Sequence, residues 1–163
     1  MPRSEDKFIL DATAGFRMMW FNKHERHTIY LDKRPQCEPD IIGDYRNLNQ
    51  FPDNSFKLIV FDPQHRREQD GYPEGFRVSY GELLPETWHS EFKKAFSEMW
   101  RVLQPFGILI FKWSTHKITK EEVLGCFFVD PLFGQTTVGH SHSSKGSKTY
   151  WFCFMKIPEE AKN

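Results

Sequence analysis

An acid, a proline and an imidazole stand just after an apolar run in the middle of the chain. The β-branched and aromatic residues of Leu58–Phe61 are typical of a strand buried on both faces. Pro63 ends this strand, because proline lacks the N–H that a ladder needs. Ligands of open α/β sheets bind beyond the carboxyl ends of the strands, so Asp62 and the nearby His65 are candidates for chemistry. The alternative is an ordinary Asp-Pro turn.

Acids occupy the same place after three earlier predicted strands. A single acid at a strand end is usually a turn residue, whereas repetition of the placement indicates a site. The four acids are Asp11, Asp32, Asp44 and Asp62, at or near the ends of strands predicted within residues 8–13, 28–32, 41–45 and 58–62.

Small residues follow the first of these strands. The segment Ala12–Gly15 lets a ligand approach the backbone, and a helix predicted over 16–23 would direct its free N–H groups at an anion. Asp32 lies about twenty residues further on, the spacing at which a carboxylate takes the hydroxyls of a ligand ribose. The alternatives are a plain tight turn and a surface Asp32 opposite Lys33 and Arg34.

The elements that position these acids predict an α/β fold with a doubly wound, mostly parallel sheet of the Rossmann-like type. The clearest helix is predicted over 85–103, where apolar residues recur at three- and four-residue spacing and form a core-facing stripe. A buried strand over 108–114 follows the break at 104–107. A short helix over 120–127 and two strands over 128–138 and 149–156, paired as an antiparallel hairpin, complete the prediction.

Length and pattern predict a single domain over residues 1–163. Residues 1–7 are predicted to be an N-terminal tail without an apolar signal core. Residues 65–81 show no periodicity and are interpreted as a mobile substrate loop, and residues 139–148 as a flexible loop.

Composition narrows the function classes. The 22 basic and 22 acidic residues balance, so any contact with nucleic acid must be a local patch. Three widely spaced cysteines without a CxxC pair argue against a disulfide scaffold and favour a reducing, cytoplasmic compartment. No apolar run is long enough to span a membrane. His140 and His142 lack a third ligand, so no metal is expected.

The order of these features resembles that of the class I S-adenosylmethionine-dependent methyltransferases over nearly the whole chain. The segment Ile9–Gly15 matches the family's cofactor loop, Asp32 its ribose-binding acid, and Asp44 the residue near the cofactor adenine. The resemblance implies S-adenosylmethionine as the cofactor. The residues expected to bind it are Asp11, Ala12, Thr13, Gly15, Arg17, Asp32, Asp44 and Tyr45, with Arg17 meeting the methionine carboxylate.

The segment Asp62–His65 is similar to the Asp-Pro-Pro-Tyr/Phe/His motif of methyltransferases that modify amino groups of nucleic acids. The resemblance implies that the Asp62 carboxylate and the Pro63 carbonyl accept the two amino protons of a base, while His65 stacks on it. Gln64 stands where the motif has its second proline, which leaves the turn less rigid. Segments 15–21, 111–113 and 131–134 also look like those of small phage- and prophage-type methyltransferases.

The resemblance makes nucleic acid, DNA or RNA, the leading expected substrate, with an exocyclic amino group of a base as the methyl acceptor. A base inside a duplex must be flipped out, or the substrate must be single-stranded. Phosphate contacts are expected from Arg66, Arg67, Arg77, Lys145 and Lys148, and Lys112 and Trp113 are expected to edge the site. A separate target-recognition domain is not expected within these 163 residues, so specificity is expected to come from the two loops, from a partner or not at all. A specificity subunit or a homodimer is a possible partner.

Three alternative functions are also compatible with the pattern. One is a methyltransferase acting on a protein side chain or a small molecule. A second is a non-catalytic module that binds S-adenosylmethionine, which Gln64 favours. A third is a nicotinamide-dependent enzyme, which the single Gly15 in place of a GxGxxG loop disfavours.

Overall fold

The fold is built on one seven-stranded sheet. The computed structural model describes residues 6–63, 83–115, 118–138 and 148–162. In this part of the chain the strands are β1 (Ile9–Asp11), β2 (Thr28–Asp32), β3 (Ile41–Ile42), β4 (Phe56–Phe61), β5 (Leu103–Ser114), β6 (Phe133–Val138) and β7 (Lys148–Met155), and the α-helices are α1 (Trp88–Val102) and α2 (Lys120–Leu124). Short 3-10 turns lie at Pro35–Cys37 and Glu159–Ala161.

The strand order is β3-β2-β1-β4-β5-β7-β6. Strands β1 to β5 pair in parallel, whereas β7 runs antiparallel to β5 and to β6. The predicted class is therefore confirmed: a mostly parallel, Rossmann-like sheet that closes with an antiparallel hairpin. Chain order runs outward from β1 to β3 and then returns to the other side of β1, so strand order reverses between β1 and β4.

The core explains the aromatic richness of the sequence. Helix α1 buries the predicted apolar stripe against the sheet, including Trp88, Phe92 and Phe96. Phe61 of β4 stacks on Phe111 of β5, with 5.5 Å between the ring centroids. This contact fixes the ends of two central strands that lead into the site.

The helix predicted over 16–23 is wrong. Residues 12–24 form successive turns and bends instead. Gly15 has φ +50° and Arg17 has φ +57°, and both values belong to the left-handed region, where a right-handed helix cannot continue. The predicted helix N-terminus with its free N–H groups therefore does not form.

The observed ends of the other helices and strands differ from the predicted ends by a few residues. Helix α1 spans Trp88–Val102 within the predicted 85–103, and β5 begins at Leu103 rather than at Ile108. Strand β6 begins at Phe133 rather than at Phe128, because Pro131 cannot donate to a ladder. Helix α2 begins with a capping box, in which the Thr119 side chain accepts from the Glu122 N–H.

Several predicted features fall partly or wholly outside the described residues. The end of the predicted N-terminal tail is described, and Lys7 Nζ donates to the Thr28 carbonyl at 2.7 Å. The predicted substrate loop 65–81 lies outside the described residues, as does nearly all of the predicted loop 139–148. No helix in the described part is long and apolar enough to cross a membrane. Cys37, Cys126 and Cys153 are buried and free of disulfides.

Candidate functional site

A cleft of about 480 Å³ opens at the carboxyl ends of β1, β2 and β4. This volume lies within the range of about 300–1,000 Å³ typical of small-molecule sites. The cleft lies where strand order reverses, which is the usual ligand position in open α/β sheets. The sequence-predicted residues that line it are Asp11, Ala12, Thr13, Gly15, Asp32, Asp44, Tyr45, Asp62 and Pro63.

The loop after β1 is tied to the end of β2. The Gly15 N–H donates to Asp32 Oδ2 at 2.8 Å. A Cβ on Gly15 would lie 3.2 Å from Arg34 Nη2, and the positive φ would strain any other residue there. The loop therefore turns closely over the β2 carboxylate and lines the cleft.

Asp11 is a buried acid at the floor of the cleft, with 3% of its surface exposed. Its carboxylate accepts hydrogen bonds from Trp20 Nε1 at 2.7 Å and from the Thr13 N–H at 3.0 Å. Burial raises the pKa of Asp11 from 3.8 to about 6, against the opposing effect of those two bonds. The negative charges of Asp62 and Asp32 add to the rise. Asp11 therefore exchanges its proton near neutral pH.

Asp32 is also buried, but its pKa shifts in the opposite direction to that of Asp11. Its Oδ1 accepts from the backbone N–H and Nε of Arg34, both at 2.9 Å, and its Oδ2 accepts from Arg34 Nη2 at 3.0 Å. Together with the Gly15 N–H, these donors match the roughly four lone-pair positions of a carboxylate. Burial opposes ionisation, but the hydrogen bonds from Arg34 and Gly15 outweigh it and hold the pKa of Asp32 below its usual range.

The same arrangement recurs after β3. Asp44 Oδ1 accepts from the backbone N–H of Arg46 at 2.8 Å and from its Nε at 2.9 Å. Arg46 also bonds Glu91 of α1, with Nη1 and Oε1 2.9 Å apart. Burial opposes ionisation of Asp44, but Arg46 prevails and lowers its pKa. Two successive strands thus end in an Asp-x-Arg pair that faces one cleft.

Tyr45 lies between these paired residues and packs edge-on against Phe61, with ring centroids 5.1 Å apart. Burial raises the pKa of the Tyr45 phenol to about 12. The ring therefore stays neutral and offers an apolar wall to the cleft.

Asp62 lies across the cleft from the Asp-x-Arg pairs. Its backbone N–H donates to Thr13 Oγ1 at 2.7 Å, which joins the chain after β4 to the loop after β1. Lys112 Nζ of β5 donates to Asp62 Oδ2 at 2.9 Å. Burial raises the pKa of Asp62 above its usual value, although the charge and hydrogen bond of Lys112 work against the rise.

The contact of Arg17 with a ligand carboxylate stays a prediction, and in this structure its guanidinium bonds other groups. Its Nη1 donates to the Lys23 carbonyl at 2.7 Å and its Nη2 to the Glu38 carbonyl at 3.0 Å. Its Cζ lies 4.0 Å from the centre of the Tyr30 ring. Arg17 is not among the residues that line the cleft in the described part of the chain, and it holds the turn over 15–24 together instead.

Sequence reasoning missed several residues of the site. Trp20 was grouped with a helix, yet its indole bonds the Asp11 carboxylate. Arg46 was not singled out as a carboxylate partner, and Arg34 was named only opposite a surface Asp32, although the repeated Asp-x-Arg spacing was visible. Further lining comes from Ala14, Phe16, Met18, Met19, Lys33, Gly43, Leu83, Leu84, Glu91 and Lys112, of which Lys112 was predicted to edge the site. His65 lies outside the described residues.

Within the described ranges, no cluster of three His, Cys, Asp or Glu side chains forms a potential metal site. The expectation for His140 and His142 lies outside those ranges.

Comparison with solved structures identifies the fold. A S-adenosylmethionine-dependent methyltransferase from Methanosarcina mazei superposes with a TM-score of 0.59 at 14% identity, over 95% of this chain and 94% of that chain. An rRNA methylase from Streptococcus thermophilus gives 0.55 at 11% identity, over 95% and 92%. The [4+2]-cyclase SpnF gives 0.59 at 12% identity, over 93% and 76%. The chain has the Rossmann-like fold of the class I methyltransferases.

No protein-family model and no curated protein sequence matches the chain. The likeness is therefore one of fold, and function must be argued from the cleft itself.

Proposed function

We propose that the chain binds S-adenosylmethionine and transfers its methyl group. The observation that carries the proposal is the position of the cleft at the reversal of strand order, with Gly15 bonded to Asp32 on one side and Asp62 on the other. The fold supports it, because the solved structures that share it include S-adenosylmethionine-dependent enzymes.

The residues of the cleft fit this cofactor. Asp32 would take the ribose hydroxyls after sharing or releasing donors from Arg34, and Asp44 and Tyr45 would border the adenine. The loop over 12–15 and the acid Asp11 would border the methionine part. When bound, the cofactor would supply a methyl group activated by its sulfonium sulfur. That sulfur would keep the bonding electron pair when the methyl group is transferred to a nucleophile.

The role of the protein is then to orient the nucleophile and receive its proton. Asp62 would accept one hydrogen of an acceptor amino group and the Pro63 carbonyl the other, which directs the nitrogen lone pair into the cleft. Afterwards the surplus proton of the nitrogen passes to Asp62. The stacking role of His65 stays a prediction.

We infer that the acceptor is an exocyclic amino group of a DNA or RNA base. The Asp-Pro end of β4 supports this, because it combines a carboxylate and a carbonyl acceptor at one point. The rim of the cleft also exposes Phe16 and Met18, and Phe21 is exposed nearby on the same loop. Exposed aromatic rings are the surfaces on which unpaired bases stack. One solved structure with this fold is an rRNA methylase, which agrees with such a substrate.

Calorimetric titration with S-adenosylmethionine and its demethylated product tests the cofactor. We expect micromolar binding to the wild type and a loss of at least tenfold in affinity for Asp32→Ala. Asp53→Ala is the matched control, because Asp53 also pairs with an arginine but is exposed on the surface. Equal binding by all three proteins, or none by the wild type, would contradict the proposal. A tritiated-methyl assay over DNA, RNA and protein then tests the acceptor.

A cofactor-binding module without methyltransferase activity is the second candidate. Gln64 favours it, as does the fact that one solved structure with this fold is a [4+2]-cyclase. Such a module would bind S-adenosylmethionine but transfer no label to any of the three acceptors. A thermal shift on addition of a nicotinamide dinucleotide would identify the remaining alternative, a nicotinamide-dependent enzyme.

A further inference from the structure

Lys112 is a basic side chain of the cleft to which the proposed contacts give no role. Its Nζ lies 2.9 Å from Asp62 Oδ2, and 29% and 27% of the two side chains is exposed. The sheet register explains the pairing. Phe61 of β4 is the partner of Phe111 of β5, so Asp62 and Lys112, which follow them, lie side by side. Both residues line the cleft.

The position of Lys112 is fixed from its other side as well. In the antiparallel pairing of β5 with β7, Lys112 faces Trp151. The ammonium lies 5.6 Å from the centre of that indole ring, a distance at which the ring attracts a cation. The lysine head is therefore held between an aromatic face and a carboxylate.

Two hydrogen bonds with described residues hold Asp62 in place. Its backbone N–H is bonded to Thr13 Oγ1, and its Oδ2 is bonded to Lys112. In the described part of the chain, no donor bonds Asp62 Oδ1. Among the described residues, the carboxylate thus has one oxygen anchored by Lys112 and one without a bonded donor.

We propose that Lys112 is a positioning residue for Asp62. Lys112 anchors Oδ2 of the Asp62 carboxylate and thereby presents Oδ1 of the same carboxylate to the acceptor amino group. This inference deepens the proposed function and rests on it. A carboxylate bonded on one oxygen loses its freedom to rotate, so the remaining lone pairs keep one direction.

The charges around Asp62 show why a cation is needed there. Asp11 of β1, Asp32 of β2 and Glu91 of α1 also line the cleft, and the charge of Asp62 raises the pKa of Asp11. Arg34 and Arg46 are engaged with Asp32 and Asp44 on the far side. Lys112 is the cation that bonds Asp62 in the described residues, and it keeps that carboxylate able to accept a hydrogen bond.

The test compares Lys112→Met and Lys112→Arg with Lys57→Met. Lys57 is a lysine of the neighbouring strand β4 that lies outside the cleft, over the Phe8 ring. The pKa of the Asp62 carboxyl is followed by carbon NMR, with Asp62→Asn to assign the signal. We expect the pKa to rise in Lys112→Met, to return towards wild type in Lys112→Arg, and to stay unchanged in Lys57→Met. Lys112→Gln replaces the Met variant if that protein does not fold.

Calorimetry and methyl transfer complete the test. We expect binding of S-adenosylmethionine within about twofold of wild type in every variant. With the acceptor found in the tritium screen, kcat should fall at least tenfold in Lys112→Met and recover in Lys112→Arg. An Asp62 pKa that does not respond to Lys112→Met, or an unchanged kcat, would overturn the role of Lys112 alone. Failure of the wild type to bind S-adenosylmethionine would overturn the proposed function instead, whatever the titration shows.

Discussion

The acids of the cleft form two groups that the chain treats in opposite ways. After β2 and β3, Asp32 and Asp44 each receive an arginine from two positions further along, and the pKa of each is lowered. At the strand reversal, burial raises the pKa of Asp11 and Asp62, which have no arginine partner among the described residues. The same residue type at or near a strand end thus has its pKa either lowered or raised by its surroundings. A carboxylate with a lowered pKa suits ligand hydroxyl groups, and one with a raised pKa suits proton exchange.

The largest expected effect separates the two groups by function. Asp62→Asn should lower kcat for methyl transfer by roughly 10²- to 10⁴-fold, the usual contribution of a positioned proton acceptor. Its affinity for S-adenosylmethionine should stay near wild type, whereas Asp32→Asn should lose affinity. Tritium transfer and calorimetry on the two variants measure both effects. If Asp62→Asn lost binding and kept kcat, the division of roles would be reversed.

The second effect tests the opposite pKa shifts through stability. Between 3.8 and about 6, folded Asp11 keeps a proton that the unfolded chain has lost, so the free energy of unfolding falls as pH rises. This window corresponds to roughly 3 kcal/mol, which Asp11→Asn should gain relative to wild type between pH 3.5 and 7. For Asp32 the sign reverses, because its contribution is present above 3.8 and is lost as pH falls through the lowered pKa. Urea unfolding across pH measures both slopes, and slopes of one sign would refute the grouping.

A smaller effect concerns the indole that holds Asp11. Trp20→Phe removes the 2.7 Å hydrogen bond to the Asp11 carboxylate. A hydrogen bond to a charged group contributes about 1.5–3 kcal/mol, and the loss should be greater at pH 8, where Asp11 is ionised, than at pH 4. The pKa of Asp11 should rise further in this variant. Urea unfolding at the two pH values checks the difference, and equal losses would mean that Trp20 acts through packing alone.

The smallest effect is expected at the outer Asp-x-Arg pair. Arg46 and Asp44 are each about one-third exposed, with 33% of either side chain accessible. Solvent screens such a pair, so Arg46→Gln should cost at most about 1 kcal/mol, and less at high salt. Unfolding in low and high salt measures this. A loss comparable to that of Trp20→Phe would show that Arg46 supports the cleft beyond its ion pair.

The strands and their acids were readable from the sequence because their signals are local. A β-branched run followed by Asp-Pro ends a strand whatever surrounds it, as at Phe61 and Pro63. The Asp-x-Arg pairs are local too, since donor and acceptor are two residues apart, although the sequence analysis did not identify them as pairs.

The turn over 15–24 was not readable, because distant groups determine it. Arg17 reaches the Glu38 carbonyl and Trp20 reaches Asp11, and these bonds outweigh the helical preference of the intervening residues. The partnership of Lys112 with Asp62 is non-local in the same sense. It depends on β5 lying beside β4 in one register, which cannot be inferred from either strand by itself.

The three buried thiols divide the fold into separately observable parts. Cys37 lies beyond β2, Cys126 beyond α2, and Cys153 in β7 between β5 and β6. Burial raises the pKa of each thiol, so each reacts slowly while its surroundings stay closed. The rate at which each is labelled therefore reports the opening of its own region. Because these cysteines are native, no cysteine has to be introduced. Labelling rates with and without ligand show whether ligand binding rigidifies the cleft side near Cys37 more than the antiparallel hairpin.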